Sequence, residues 1–421
     1  MFANNIPYAH IVPYFQPIFS SHTAIPFGYE VLGRLVQNGN PISLGPFFED
    51  PERSEEVKLK MDFHIREIAI RRFAEAGCPG KLFLNIHPEW ADLMDANTPL
   101  HSLLTLEKYN VPPSSIVMEI TEGVLRTMDS MDWVLGAYRK AGCTVAVDDF
   151  GSNYSNFNRI AMIRPDIVKI DRSLVLDMDK SRFSREVCKA IAVFADALGS
   201  QVLFEGIEEE SQLTHSIDMC GCYLQGFLLG RPAPDFLGTE KNATQLLRRS
   251  FDNSQAKMDV QARNFHTVLR TLEQSLSPWP QMDQDALQDA LCSLPAYCKR
   301  IYSCNRQGYF VTTTLERDAS GAMVELVWPD SSTLYFRSFF LDCLHALDEK
   351  NKSSLSRPYR DIHTKKTTIT FCYYSSAQHI LFIDIDYNSI LENCSSFFEA
   401  HTAAPSKTGA KGKTRGIPAQ I

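Results

Sequence analysis

The chain lacks several features that would each have fixed a class. The first residues, Met1 to His10, carry no basic stretch followed by an apolar one, so no signal peptide is expected. No apolar run approaches the roughly 18 residues of a membrane span. The 11 cysteines include one Cys-x-Cys pair, Cys220 and Cys222, but no CxxC pairs with histidine partners at zinc-finger spacing. An odd number scattered through apolar segments reads as reduced thiols packed as small hydrophobes, which makes the cytoplasm the expected location. Positive charge is also short: 42 Lys and Arg face 50 Asp and Glu, a net charge of −8. Up to residue 245 the counts are 22 basic and 32 acidic; beyond it they are 20 and 18. An acidic first part argues against a groove for polymeric nucleic acid, whose affinity comes largely from cations on phosphates. It does not exclude a nucleotide held through metal ions.

What is present is ordinary for a folded protein. Hydrophobic residues make up 44% and charged residues 22%, close to globular averages. At roughly 150 residues per domain, 421 residues suggest two or three domains, fewer if one is a large barrel. Strand-like runs at Ile11–Phe19, Phe27–Leu32, Lys81–Ile86, Ile116–Thr121, Thr144–Phe150, Ile167–Asp171, Gln201–Ile207 and Tyr223–Leu229 alternate with helical stretches such as Ser54–Ala76, Arg182–Leu198 and Glu209–Met219. Such alternation predicts βα units, a mostly parallel sheet and a TIM-type α/β barrel over residues 1–239. A doubly wound open sheet is the alternative, but no Gly-x-Gly-x-x-Gly follows the first strand.

Beyond Pro234 the pattern changes. Residues 240–280 read as a helical linker, with Phe265, Val268, Leu269, Leu272 and Leu276 on one stripe, ended by Pro278 and Pro280. Residues 281–398 then read as a smaller α+β domain of antiparallel strands with one internal helix. Residues 399–421, rich in Ala, Pro, Gly, Lys and Ser, read as a disordered basic tail.

The placement of acids within the barrel strands carries the functional signal. Glu30, Asn85, Glu119, Asp148, Asp149 and Glu205 lie in or near strand ends, inside otherwise apolar runs. A carboxylate buried there is costly unless compensated, and strand C-termini converge on the face where barrel active sites form. Carboxylates with one amide oxygen are a hard-oxygen set that suits Mg²⁺, Mn²⁺ or Ca²⁺ better than zinc. Lys169, at another strand end, either neutralises these acids or serves an attacking water or a developing negative charge. Glu122 and Glu208 each follow a ligand candidate by three residues and would brace loops. Gln16 and Arg34 offer an amide and a guanidinium suited to a guanine edge or a phosphate.

Eight ordered segments then resemble a known family. Tyr-Phe-Gln-Pro-Ile at 14–18, Glu-Val-Leu-Gly-Arg at 30–34, Leu-Asn-Ile at 84–86 and Met-Glu-Ile-Thr-Glu at 118–122 are similar to EAL domains. So are Val-Asp-Asp-Phe-Gly at 147–151, Val-Lys-Ile-Asp-Arg at 168–172, Phe-Glu-Gly-Ile-Glu at 204–208 and Leu-Gln-Gly-Phe at 224–227. Arg-Pro-Tyr-Arg-Asp-Ile-His-Thr at 357–364 and Ile-Asp-Ile-Asp-Tyr at 383–387 resemble the PAS- or Cache-like sensor domain that follows some Firmicute EAL domains. The resemblance implies hydrolysis of cyclic di-GMP to linear pGpG by a cytoplasmic homodimer. It implies Mg²⁺ or Mn²⁺ as one or two bound ions, with Ca²⁺ as an inhibitory substitute. Glu30, Asn85, Glu119 and Asp148 would hold a first metal and Asp149 a second. Glu205 would join the metal–water network, Lys169 would orient the water, and Gln16, Arg34 and Gln225 would contact the dinucleotide.

Two departures stand out. The signature tripeptide reads Glu-Val-Leu, a small apolar exchange, and the loop after Asp149 carries Asn153 where the family usually has glycine. The second leaves open a cyclic di-GMP receptor with weak or no turnover, and an unrelated metal-dependent barrel enzyme remains the third reading. No GGDEF-type cyclase motif is present. In the C-terminal domain, Arg357, Tyr359, Arg360 and Asp361 gather at one turn, where they would bind a small anion, cap a helix or form surface pairs. A sensory role with an unknown small ligand, or a purely dimerising one, follows for that domain.

Overall fold

The computed structural model describes residues 8–87, 99–121, 128–152, 157–236, 240–276, 284–318, 320–326, 332–347, 351–376 and 379–390. Glu122, Asn153 and the basic tail lie outside them.

The chain forms two compact units that meet at Gln255 and Ala256. The first opens with β1 (Ile11–Ser20) and β2 (Pro26–Gln37), an antiparallel hairpin paired from Ile11↔Leu35 to Phe19↔Pro26. The short, exposed β3 (Asn40–Ser43) folds back on the end of β2. There follow α1 (Gly45–Phe48), α2 (Glu55–Glu75), β4 (Lys81–Ile86), α3 (His101–Lys108), β5 (Ile116–Thr121), α4 (Met128–Ala141), β6 (Thr144–Phe150), α5 (Phe157–Ile163) and β7 (Ile167–Ile170). The unit continues with α6 (Arg172–Asp177), α7 (Arg182–Ala197), β8 (Gln201–Phe204), α8 (Glu210–Asp218) and β9 (Tyr223–Leu224).

The strand order β1-β9-β8-β7-β6-β5-β4-β2 closes through the β1–β2 pairing, so the sheet is a barrel with β3 appended outside. Strands β2 and β4 to β9 run parallel, whereas β1 is antiparallel to both its neighbours. The expected TIM-type barrel is therefore present in mixed form. A tight β1–β2 connection forces this direction, because a parallel pair needs a long crossover. Helices cover the outside through apolar faces at helical spacing. In α2, Met61, Ile65, Ala69 and Phe73 are buried, and Glu55 and Glu56 sit at the positive helix start. In α7, Cys188, Ile191, Ala192 and Ala195 are buried, and the Ser181 hydroxyl caps the start by accepting from the Ser184 N–H at 3.1 Å.

Helix α9 (Glu240–Leu276) contributes Ala243 and Leu247 to the core of the first unit and Val268, Leu272 and Leu276 to that of the second. The second unit adds α10 (Gln284–Ser293), β10 (Cys298–Cys304), β11 (Thr314–Arg317), β12 (Met323–Leu326), α11 (Ser338–Ala346), β13 (Ser353–Leu355), β14 (Tyr359–Arg360), β15 (Thr367–Ser376) and β16 (His379–Asp386). Its sheet is antiparallel in the order β12-β11-β10-β16-β15-β13, with β14 on β15. Alternation along the strands sorts the two faces: Ile301, Phe371 and Ile383 pack with the α9 and α10 residues, while Tyr302, Cys372 and Phe382 pack with Phe339, Phe340 and Cys343 of α11.

Candidate functional site

The barrel interior explains why acids interrupt the strands. Ile18, Phe83, Val117, Ala146, Ile167, Leu203 and Tyr223 form one buried cluster contributed by β1 and by β4 to β9. Moving two residues along each of β4 to β9 gives Asn85, Glu119, Asp148, Lys169, Glu205 and Gln225. Because successive side chains alternate faces, these residues share the interior face with the apolar layer, one step nearer the strand C-termini. On antiparallel β1 the step runs backwards, from Ile18 to Gln16, which pairs across the ladder with Glu30 of β2.

Lys169 lies at the centre of this polar layer and is 1% exposed. Its Nζ is 2.6 Å from Glu119 Oε1, 2.8 Å from Asp148 Oδ1 and 2.5 Å from Glu205 Oε1. Gln225 donates from Nε2 to Glu30 Oε2 at 2.6 Å, and Gln16 donates from Nε2 to the Gly230 carbonyl at 3.2 Å. One ligand atom from each of Asp148, Asp149 and Glu205 falls within 4.8 Å of the others. Burial pushes the Glu119 and Glu205 carboxyls well above the usual range, and Lys169 offsets this only in part. Burial and the neighbouring Asp148 push Asp149 up to about 7. Burial would lower the Lys169 pKa, but Asp148, Glu119 and Glu205 outweigh it and hold the ammonium well above its ordinary value.

One lysine cannot neutralise this many acids. Glu119 is fully buried, yet its Oε2 has no hydrogen-bond partner among the described residues. A buried orphan oxygen beside clustered carboxylates fits a hard divalent cation.

Local backbone geometry aims these groups. The β6–β7 ladder shifts register between Val147 and Phe150, and Asp149 takes φ 55°, a left-handed conformation unusual for a residue with a side chain. The Asp149 N–H donates to Asp148 Oδ1 at 3.0 Å, which fixes one carboxylate by means of the next residue. Gly206, directly after Glu205, has φ 66°, and a Cβ there would lie 2.1 Å from Arg172 Cγ. Only glycine lets Arg172 cross so close and donate to Glu208 Oε1 at 2.6 Å. Glu208 thus pairs across the loop after β8 with the first residue of α6.

Two cavities reach the acids. One, of about 220 Å³, is lined by Gln16, Glu30, Glu205, Glu208 and Gln225 among others. The second, of about 330 Å³, includes Arg34, Asn85, Asp148 and Asp149. Arg34 lies over the Tyr14 ring at 5.9 Å, and burial lowers its pKa. The described candidates therefore all border this region.

Sequence reasoning missed Arg66. It is 2% exposed and pairs with Asp62 one helical turn earlier. It donates to the Asn85 carbonyl at 2.7 Å and to Ser102 Oγ at 3.0 Å, tying the end of β4 to α2 and α3. A signal was available: an Asp and an Arg four residues apart share the apolar face of α2, where charges need a reason.

Comparison with known proteins agrees with this architecture. The EAL domain model matches residues 3–232, and an EAL-domain associated signalling protein domain matches residues 240–397. The second match gives the C-terminal unit a family of its own in place of the broader PAS or Cache resemblance. An uncharacterized EAL-domain containing protein of Bacillus subtilis, YkuI, is 28% identical over 391 residues, covering 91% of this chain and 96% of that protein. Its crystal structure in complex with substrate c-di-GMP and calcium matches with a TM-score of 0.80, covering 90% of this chain and 97% of that one. The cyclic di-GMP phosphodiesterase RocR of Pseudomonas aeruginosa is 34% identical over 167 residues, which is 39% of this chain and 42% of RocR.

Proposed function

The chain belongs to the EAL domain family, and from that premise we propose that its barrel hydrolyses cyclic di-GMP to linear pGpG with divalent cations bound among the acids. The observation that carries the reading is the ring of Glu119, Asp148 and Glu205 around buried Lys169, with the Asp148, Asp149 and Glu205 ligand atoms within 4.8 Å of one another.

Glu30, Asn85, Glu119 and Asp148 would hold one Mg²⁺ or Mn²⁺, and Asp149 with Glu205 would serve a second position. A bound divalent ion offsets the acids' charge, withdraws electron density from a phosphate and acidifies water. The chain's own groups do the rest. Lys169 Nζ, whose three N–H groups face Glu119, Asp148 and Glu205, would donate to the attacking water once one of these carboxylates turns to a cation, and the neighbouring carboxylates would accept the water's proton. The water oxygen bonds to phosphorus, the bond from phosphorus to the ribose 3′ oxygen breaks, and that oxygen takes a proton. Gln16, Gln225 and Arg34 would hold the dinucleotide, whose two halves match a polar centre reached by two cavities. The similar Bacillus structure is a complex with substrate c-di-GMP and calcium, which supports a hard divalent cation among these acids.

Asn153 in the altered loop favours a second reading, a receptor that binds cyclic di-GMP and turns it over weakly or not at all. One assay separates them. Full-length protein is incubated with cyclic di-GMP and Mg²⁺ or Mn²⁺, and pGpG is followed by chromatography. Cation-dependent pGpG, lost in Glu30→Ala, is the expected result. Tight binding without product over hours would leave the receptor, and no binding would remove both.

A homodimer is part of this proposal, supported by the exposed apolar side chains Met162, Phe183 and Val193 on α5 and α7. Light scattering on the eluting protein tests it. Among the described residues no helix is long and apolar enough to cross a membrane.

A further inference from the structure

The second unit contains a cavity of about 270 Å³ between its sheet and the start of α11. Its walls are aromatic, with Tyr302, Phe310, Phe339 and Tyr359 all lining it. Phe339 and Tyr359 stack at 4.5 Å, and Tyr302 faces Phe310 at 5.6 Å. Such a volume is below the roughly 300–1,000 Å³ of pockets for drug-sized molecules and suits a small ligand.

The charged groups on the walls differ in whether they are already engaged. Arg300 has Glu316 2.9 Å from Nε, Asp361 2.9 Å from Nη2 and Asp384 3.5 Å from Nη1. Asp361 Oδ1 accepts that guanidinium, the N–H groups of His363 at 3.1 Å and Thr364 at 2.7 Å, and the Thr364 hydroxyl at 2.9 Å. Asp384 Oδ1 accepts the Thr370 hydroxyl at 2.7 Å and, at longer range, the phenols of Tyr302 at 3.3 Å and Tyr359 at 3.4 Å. Both acids are committed, so a cationic ligand would find no free counter-charge.

Arg337 stands apart. It is the residue before α11, lines the same cavity, and has its guanidinium 5.6 Å from the Phe339 ring centre. Among the described residues, that guanidinium has no ion pair and no hydrogen bond. A guanidinium with open donors matches the two oxygens of a carboxylate. The Tyr359 phenol is engaged as well, 2.8 Å from the Thr370 hydroxyl, which leaves Arg337 to take the charge.

We propose that this cavity binds a small organic monocarboxylate with a flat or branched apolar body, its carboxylate on Arg337 and its body against the rings of Phe310, Phe339 and Tyr359. The apolar walls favour the body, and the single unengaged cation selects the charge.

The test is thermal melting of the full chain with benzoate and isovalerate as probes, against benzamide and benzylamine as neutral and cationic shape controls, at matched ionic strength. At millimolar concentration either carboxylate should raise the melting midpoint saturably, and the two controls should not. Arg337→Gln should weaken binding roughly tenfold or more, and Arg337→Lys should weaken it less. Leu334→Trp, which fills the cavity, should also block it, and this variant keeps the test informative if Arg337→Gln melts early. The proposal is overturned if neither carboxylate binds, if benzamide or benzylamine binds as well as benzoate, or if folded Arg337→Gln binds like the native chain.

Discussion

Replacing Lys169 with methionine keeps the side chain's length while removing the one cation inside the acid ring. Glu119, Asp148 and Glu205 lose contacts of 2.6, 2.8 and 2.5 Å to its Nζ. Breaking a buried pair from one side costs about 3–5 kcal/mol, because a charge is left without compensation. Three pairs do not cost three times that, since Glu119 and Glu205, already pushed above the usual carboxylate range, take up protons instead. The expected loss is therefore one such penalty, about 3–5 kcal/mol. In a unit of this size that lowers the midpoint by roughly 6–20 °C when melted in EDTA. Adding Mn²⁺ should shrink the loss, because the ion supplies the missing positive charge. Turnover should fall about 10²- to 10⁴-fold in the pGpG assay, the range for a group that handles a proton in the reaction. Glu30→Ala is the comparator: among the described residues Glu30 accepts one side-chain hydrogen bond, from Gln225, so activity should vanish with a smaller thermal shift. Native turnover in Lys169→Met, or a loss of stability that Mn²⁺ leaves untouched, would refute the reasoning.

Arg66→Met should cost about 3–5 kcal/mol by leaving Asp62 buried without its partner, and should weaken Mn²⁺ binding measured by calorimetry because the Asn85 carbonyl loses its anchor. Gly206→Ala should lower the melting midpoint by about 1–3 kcal/mol equivalent, since a Cβ would meet Arg172 Cγ at 2.1 Å in a left-handed backbone. In the second unit, burial would raise the Asp361 carboxyl, but the Thr364 N–H and Arg300 outweigh it and hold it at about 2. With the folded pKa below the unfolded one, the stabilisation is present above about pH 4 and lost as pH falls toward 2. Asp361→Asn should flatten that acid limb of the unfolding curve, a difference of about 2 kcal/mol read by chemical denaturation at stepped pH.

The polar layer of the barrel was legible because it contradicts its surroundings. Glu119 in Val-Met-Glu-Ile and Lys169 in Ile-Val-Lys-Ile break apolar runs that a parallel sheet buries on both faces, and the structure brings them within 2.6 Å. Strand direction was not legible at β1, since an apolar run reads alike in either sense and only the short turn after Ser20 decides. β3 was missed because Asn40–Ser43 is exposed throughout and carries no alternation. The runs 201–207 and 223–229 read past the last ladder residues, Phe204 and Leu224, because Ile207 and Leu229 beyond them are buried apolar residues as well. In the second unit, Tyr309–Leu315 reads as one strand, yet Tyr309 and Phe310 make isolated bridges and β11 begins only at Thr314. β-Branched residues in Val-Thr-Thr-Thr raise strand propensity without specifying a partner. Arg66 escaped notice because its role lies across space, on a carbonyl 19 residues away.

Helix α9 bears on how this protein can be taken apart and recombined. A chimaera that grafts another regulator onto the barrel at Glu240 would strip Ala243 and Leu247 from the barrel's own core. It would also remove Ser254, whose hydroxyl bonds to Asp218 of α8, and Arg249, which pairs with Glu210 at 2.7 Å. A fully buried leucine alone contributes about 1.5–3 kcal/mol. The natural splice point is within the helix, near Gln255, where exchange would keep each core intact and preserve the phase of one continuous helix. In such fusions one residue added or removed at the join turns everything downstream by about 100°. The length of the helix is thus a variable that a designer, or evolution, can change without touching either core.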